Sequence, residues 1–280
     1  MRIHHLNCGT DCPLGGALFD GRSKGPLGHL VCHCLLIETD AHGLVLIDTG
    51  YGLRDVADAD ARLPLPWRLM LNIRLRAEET AIRQIEAFGF KPADVRHIVL
   101  THLDFDHAGG LSDFPHATVH VMQREYDDAI GPRAGFVAQH RWQGRQLTDV
   151  DSWRRYGARG EPWFGFDSAR DLDGLPPEIL MVPLPGHTWG HAGVAIRQDG
   201  GHWLLHAGDA YFYRGEMRQA RRRCTPGLRG YQRLMEVDAT ARVSNQHRLR
   251  RLSIEQRQSV TVTCAHDPVE FERCRAGRPL

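Results

Sequence analysis

The sequence predicts an α/β fold in which two sheets pack back to back with helices outside. Three observations carry that expectation. Strand-like and helix-like runs recur as strand–strand–helix–strand in each half of the chain, and candidate ligand residues fall at the strand ends. The 29 glycines and 15 prolines provide the turns that many short strands require. A chain of 280 residues can bury a large core as one big domain or two similar halves.

In chain order, IHHLNCG (3–9) reads as a first strand, followed by a turn-rich segment to about Gly28. Residues 29–50 form a hairpin: an apolar run, a turn at Asp40–Gly43, and a second run ending in Asp48-Thr49-Gly50. Asp48 is expected to brace a loop rather than bind a ligand directly. The apolar connection 62–76, with Trp67, could cap the core, form a subunit contact or line a substrate channel. Residues 76–90 form an amphipathic helix with Ala81, Ile85 and Phe88 on one stripe. VRHIVL (95–100) is a buried strand. TVHVMQREYDDAI (118–130) is a strand running into a helix, and 131–175 is expected to be an irregular insertion. Three strand-like runs occupy 178–212, with turns at Pro185–Gly186 and Gln198–Gly201. Helical sequence (about 226–258), the strand SVTVTC (259–264) and Ala-His-Asp close the chain. The domain expectation is one unit, 1–280, made of halves at about 1–125 and 176–280.

Composition narrows the function. The formal charge of +1 carries no nucleic-acid footprint. The basic runs at 221–223 and 248–251 read as solvated faces. No run approaches the ~20 apolar residues of a membrane span, and MRIHHLNCGTDCPLGG lacks a signal-peptide core. Seven scattered cysteines argue against a disulfide framework, and Cys8 and Cys12 read as ordinary thiols. The expectation is a cytoplasmic protein with a small-molecule substrate and neither nucleic-acid nor membrane partners; a homodimer stays open.

Chemistry concentrates in THLDFDHAGG (101–110), where His102, Asp104, Asp106 and His107 crowd onto the loop leaving a strand. Carboxylates and imidazoles packed so closely repel or desolvate badly without a cation, so the cluster predicts a metal site. Thirteen of the 17 histidines lie outside the ligand set, so histidine content alone says nothing; His33, His191 and His206 read as structural.

HLDFDH, then GHT at 186–188, GDA at 208–210 and AHD at 265–267, resembles the metallo-β-lactamase fold superfamily, over nearly the whole chain. The resemblance implies a four-layer αββα sandwich. It puts His102, Asp104 and His187 on one metal ion, Asp106, His107 and His266 on a second, and Asp209 between them. A bridging water would be the nucleophile, oriented by Asp106. Zinc is the expected metal. The departure is Asp104, where the usual motif, H-x-H-x-D-H, has histidine. An extra carboxylate would lower Lewis acidity and admit iron or manganese. The overall pattern looks most like the N-acyl-homoserine lactonases and related lactone hydrolases. Those relatives usually carry a tyrosine three residues after the bridging aspartate; here that position is Phe212, flanked by Tyr211 and Tyr213, either of which could contact substrate. The alternatives are an iron-dependent oxidoreductase on the same fold and a thioesterase of the glyoxalase II kind.

Overall fold

Residues 1–280 are all described by a computed structural model. The first sheet takes its seven strands from the N-terminal part of the chain: β1 (Arg2–Asp11), β2 (Leu30–Glu38), β3 (Leu44–Ile47), β4 (Ile73–Arg74), β5 (Val95–Val99), β6 (Thr118–Met122) and β7 (Ser152–Tyr156). Their spatial order is β4-β1-β2-β3-β5-β6-β7. The second sheet holds β8 (Glu161–Trp163), β9 (Phe166–Asp171), β10 (Ile179–Pro183), β11 (Ala192–Arg197), β12 (Trp203–His206) and β13 (Val260–Thr263). It runs β13-β12-β11-β10-β9-β8.

Period-two alternation explains the layers. In β2, Leu35 and Ile37 point one way and Leu36 the other. Leu35 and Ile37 join Val45, Ile47 and Val99 in packing against Ile179, Met181, Val194 and Ile196 of the second sheet. Leu36 joins Leu46, Ile98 and Val119 against Ile85 and Phe114 on the outer face. The second sheet buries its other face, Ala195, Leu205, Val260 and Val262, against Leu249 and Leu252 of helix Ala239–Glu255. The result is the αββα sandwich expected.

The hairpin, the strand 95–100 and the three runs in 178–212 form where the sequence places them. The insertion does not. Residues 131–175 carry helices Phe136–Arg141 and Gly144–Leu147 and strands β7, β8 and β9, so they are ordered and supply an edge to each sheet. Strands β7 and β8 are the edges, with β9 next to one, and exposed charges such as Arg154 and Arg155 stand on them. Charge on an edge strand blocks further pairing and masks the hydrophobic alternation. The helical stretch 226–258 is two helices, Pro226–Met235 and Ala239–Glu255. The second restarts because the Asp238 carboxylate accepts from Ala241 N at 2.9 Å. Within 62–76, Leu63, Trp67 and Leu71 are buried beside Tyr51, Phe105 and Met235, whereas Leu65 and Leu69 face solvent. That segment caps a core cluster. No helix is long and apolar enough to cross a membrane.

Strands β3, β5 and β6 are mutually parallel, as are β12 and β13, and the loops leaving β3, β5, β12 and β13 meet at one rim. The turns at 40–43 and 198–201 meet elsewhere, lining one surface cavity with Arg197 and Glu178.

Candidate metal centre

Each ligand loop is shaped by its own sequence. Asp48 ends β3 in a left-handed conformation (φ 54°), which a short acidic side chain tolerates. From there its carboxylate accepts from Thr101 N and Thr101 Oγ1, both at 2.8 Å. This pins the exit of β5, and Asp104 then opens the short helix Phe105–Ala108 that carries Asp106 and His107. His187 follows β10, and Asp209 follows β12. Gly208 is required before Asp209: its φ is +51°, and a Cβ there would stand 2.7 Å from His191 Nε2.

The seven expected ligands converge, all buried. In a first cage, Asp104 Oδ2 lies 3.0 Å from His187 Nε2 and 3.5 Å from His102 Nε2. Asp209 Oδ2 lies 3.4 Å from His187 Nε2 and 3.7 Å from His102 Nε2. In a second cage, His107 Nε2 lies 3.4 Å from His266 Nε2 and 3.8 Å from Asp106 Oδ2. His266 Nε2 is 3.6 Å from Asp106 Oδ2, and Asp209 Oδ1 is 3.0 Å from His266 and 3.4 Å from His107. Ligands about 2.0–2.2 Å from a tetrahedral ion stand roughly 3.3–3.6 Å apart. The separations in both cages, 3.0–3.8 Å, bracket that range, and the two oxygens of Asp209 divide between the cages.

The donor chemistry fits cations as well. His102 Nε2 and Asp209 Oδ1 are buried without a hydrogen-bond partner, a costly state unless something else is to be bound. Three of the four far nitrogens are engaged: His107 Nδ1 with Asp48 Oδ2 at 2.9 Å, His266 Nδ1 with Val31 O at 2.8 Å, His102 Nδ1 with Thr101 Oγ1 at 3.0 Å; His187 Nδ1 has no partner. A donating Nδ1–H leaves the Nε2 lone pair aimed into the cage. Asp48 is thus the brace expected. Burial alone would lower His107; Asp209, Asp106 and Asp48 outweigh it and hold it well above its usual range. Burial would raise Asp209, yet His266 and His107 hold it well below the carboxylate range.

His191 and His206 are structural. His191 Nδ1 donates to Leu184 O, leaving Nε2 to accept from Asp209 N at 2.9 Å. His206 Nε2 meets His33 O at 2.7 Å.

The two tyrosines require correction. Tyr211 is fully buried with its hydroxyl donating to Glu270 at 2.8 Å, inside the core of the second sheet. Tyr213 directs its hydroxyl toward Gly21 and lays its ring against Arg214. The backbone at 211 and 213 is extended, so alternate side chains diverge. Phe212 therefore takes the inward face, stacked on His266 (centroids 5.2 Å, planes 11° apart). Edge-on to Phe212 at 5.6 Å stands Tyr231 of helix Pro226–Met235. Its phenol is raised by burial and by the charges of Asp106, Asp104 and Asp209, so it borders the cluster.

Three more residues escape sequence reasoning. Glu125 is buried on the helix after β6 and accepts from Leu103 N (3.0 Å), Thr188 Oγ1 (2.5 Å) and Trp142 Nε1 (3.2 Å), tying the His102 loop to the His187 loop. Cys32 brings its thiol to Asp106 and His266. Arg141, buried at 1 % exposure, sets its Nε 3.0 Å from Asp104 Oδ1 and its Nη1 2.9 Å from His187 O. Burial would raise Asp104, but Arg141 and then His102 keep it well below the carboxylate range. Nothing in the local sequence singles out Arg141, which lies in the stretch expected to be an irregular insertion.

Comparison with known proteins agrees with this fold. Residues 27–255 match the profile of the metallo-beta-lactamase superfamily. The chain is 41% identical over 276 residues to the probable metallo-hydrolase Rv2300c of Mycobacterium tuberculosis, covering 98% of this chain and 83% of that protein. It is 29% identical over 286 residues to the N-acyl homoserine lactonase AttM of Rhizobium johnstonii, covering 97% and 95%. In fold, it is similar to a solved N-acyl homoserine lactone hydrolase with N-hexanoyl-L-homoserine bound at the catalytic metal centre. The TM-score is 0.71 at 19% identity, covering 98% of this chain and 96% of that one.

Proposed function

The chain belongs to the metallo-β-lactamase superfamily, and from that premise we propose that it is a dinuclear metal-dependent hydrolase of a small ester-like substrate, a lactone of the N-acyl-homoserine class or a relative of it. The observation that carries the reading is the division of the two Asp209 oxygens between two four-donor cages. A relative named as an N-acyl homoserine lactonase over nearly its whole length supports the substrate class. The proposed unit is the whole chain as one domain of two halves, since both sheets contribute ligands. Zinc is the proposed metal, with iron or manganese as alternatives because Asp104 adds a carboxylate to the first cage.

Divalent cations held in the two cages would supply a water of lowered pKa and a clamp for the developing oxyanion. The protein does the rest. His102, Asp104, His187 and Asp209 would hold the first ion; Asp106, His107, His266 and Asp209 would hold the second. Asp106 takes the proton of the attacking water and returns it to the alkoxide oxygen freed when the ring opens. Tyr231, rather than Tyr211 or Tyr213, donates a hydrogen bond to the substrate. Phe212 walls the pocket without a polar contact. Tyr231, half-buried against the apolar cluster of Tyr51, Trp67, Phe105 and Met235, offers an acyl chain a ring face from which water is excluded.

Chelation should abolish turnover of a lactone panel, and added zinc should restore it. Turnover unchanged after complete metal removal would sink the reading. Asp104 beside His102 and His187 also favours a second reading, an iron-dependent oxidoreductase. Elemental analysis with an oxygen-uptake assay separates the two; iron with oxygen consumption and no ring opening selects the second. A thioester in the same panel tests the thioesterase alternative.

A further inference from the structure

Arg141 is among the largest fully buried side chains, and the one carboxylate it pairs with is Asp104. A desolvated guanidinium without an anion is strongly unfavourable, and so is a desolvated carboxylate without a cation. The carboxylate is divided: Oδ1 faces Arg141 Nε at 3.0 Å, and Oδ2 faces the Nε2 atoms of His187 and His102 at 3.0 and 3.5 Å. The rest of the guanidinium is committed to the same cage. Nη1 donates to His187 O at 2.9 Å, and Nη2 donates to Met235 O while lying 3.3 Å from His187 Nε2. One arginine therefore touches two of the three side chains that belong to the first cage alone.

We propose that Asp104 and Arg141 act as a single ligand unit, in which Arg141 balances the added carboxylate and turns its free oxygen toward the first metal ion. This rests on the dinuclear reading above. Three carboxylates against two divalent ions leave a formal charge of roughly +1; Arg141 brings it to roughly +2. The carboxylate at 104 then no longer weakens the Lewis acidity of the centre. Arg141 is a positioning residue, acting through Asp104 and His187, and the second cage does not depend on it.

The test uses the full-length wild type and the variants Arg141→Met, Asp104→His and Asp104→His/Arg141→Met. Each is stripped with chelator and titrated with zinc(II) alone, then with cobalt(II) to read the absorption spectrum. Wild type should take two ions. Arg141→Met should keep one tightly and bind the other on the order of 10–100-fold more weakly, the loss typical of removing a ligand's supporting partner. Asp104→His alone should show a similar loss, because the guanidinium then faces the cations unpaired. The double variant should recover two tight ions and a wild-type-like cobalt spectrum. A purely space-filling role for Arg141 would give no such recovery. Arg141→Lys keeps the charge without the fork and should fall between, which serves if Arg141→Met fails to fold. Two ions of unchanged affinity in Arg141→Met, or a double variant no better than the single ones, would overturn the inference alone. A wild type that binds no metal would overturn the dinuclear reading and this inference with it.

Discussion

The two cages use the same residue types but are held from different sides. The second is fastened by the ends of sheet strands: His107 by Asp48 beyond β3, and His266 by the Val31 carbonyl of β2. The first is fastened partly by Arg141, from the helix in the loop between β6 and β7. Their electrostatics differ accordingly. Burial would lower His266, yet Asp209 and Asp106 push it up to about 9. His187 is lowered to about 4, by burial and then by Arg141. The second cage gathers negative charge that draws protons or cations. The first has a permanent cation at its side. Identical donor types thus do not make equivalent sites; the charge behind the donors decides.

The change that should erase the comparison is Asp209→Ala, which removes a donor from both cages. Bound metal should fall from about two ions per chain to near none, with a lower melting temperature, because the binding energy is also folding energy. Full metal content by elemental analysis would show that Asp209 is no bridge. Asp48→Asn should separate the cages. It loses the acceptor that holds His107 directly and reaches His102 only through Thr101. The second ion should weaken by about 10–100-fold and the first by less, in a calorimetric zinc titration. An equal loss in both would refute the asymmetry.

Tyr231→Phe leaves both cages intact, so it measures what stands over them. Metal content should stay at two while kcat/KM for a lactone drops about tenfold, the value of one lost hydrogen bond. No change would remove Tyr231 from the substrate's surroundings. The smallest effect is on the metal-free protein. His266 is raised above its ordinary 6.5, so its contribution to stability is full below pH 6.5 and disappears as pH rises through about 9. His187 is lowered, so its contribution is present above pH 6.5 and is lost as pH falls through about 4. At pH 7.5, histidine NMR signals should show His266 charged and His187 neutral; the reverse would mean the charge backgrounds are misassigned.

The seven converging candidate ligands were legible because each sits in a short segment where residue type, spacing and a strand end coincide. The sandwich was legible because near-continuous apolar runs such as 30–38 and 179–183 mark strands buried on both faces. What stayed hidden depends on direction rather than composition. Tyr211 and Tyr213 flank Phe212 in the sequence, but extended backbone sends them to the opposite face. Tyr231 reaches the cluster from a helix whose local pattern says only that one side is apolar. Arg141 and Glu125 are charged residues buried against partners such as Asp104 and Thr188, 37 and 63 positions away. No window of sequence contains such a pair. Strands β7 to β9 were missed because strands at and next to a sheet edge carry charge where inner ones carry valine.

The gathering of every ligand loop at one rim has a use in construction. The turns at 40–43 and 198–201 hold no donor of either cage and share a cavity of their own. Lengthening a surface turn adds closure entropy only slowly, about 0.6 kcal/mol per doubling. Those turns are therefore the places to graft a reporter, an affinity tag or an entire second protein while the catalytic rim keeps its shape.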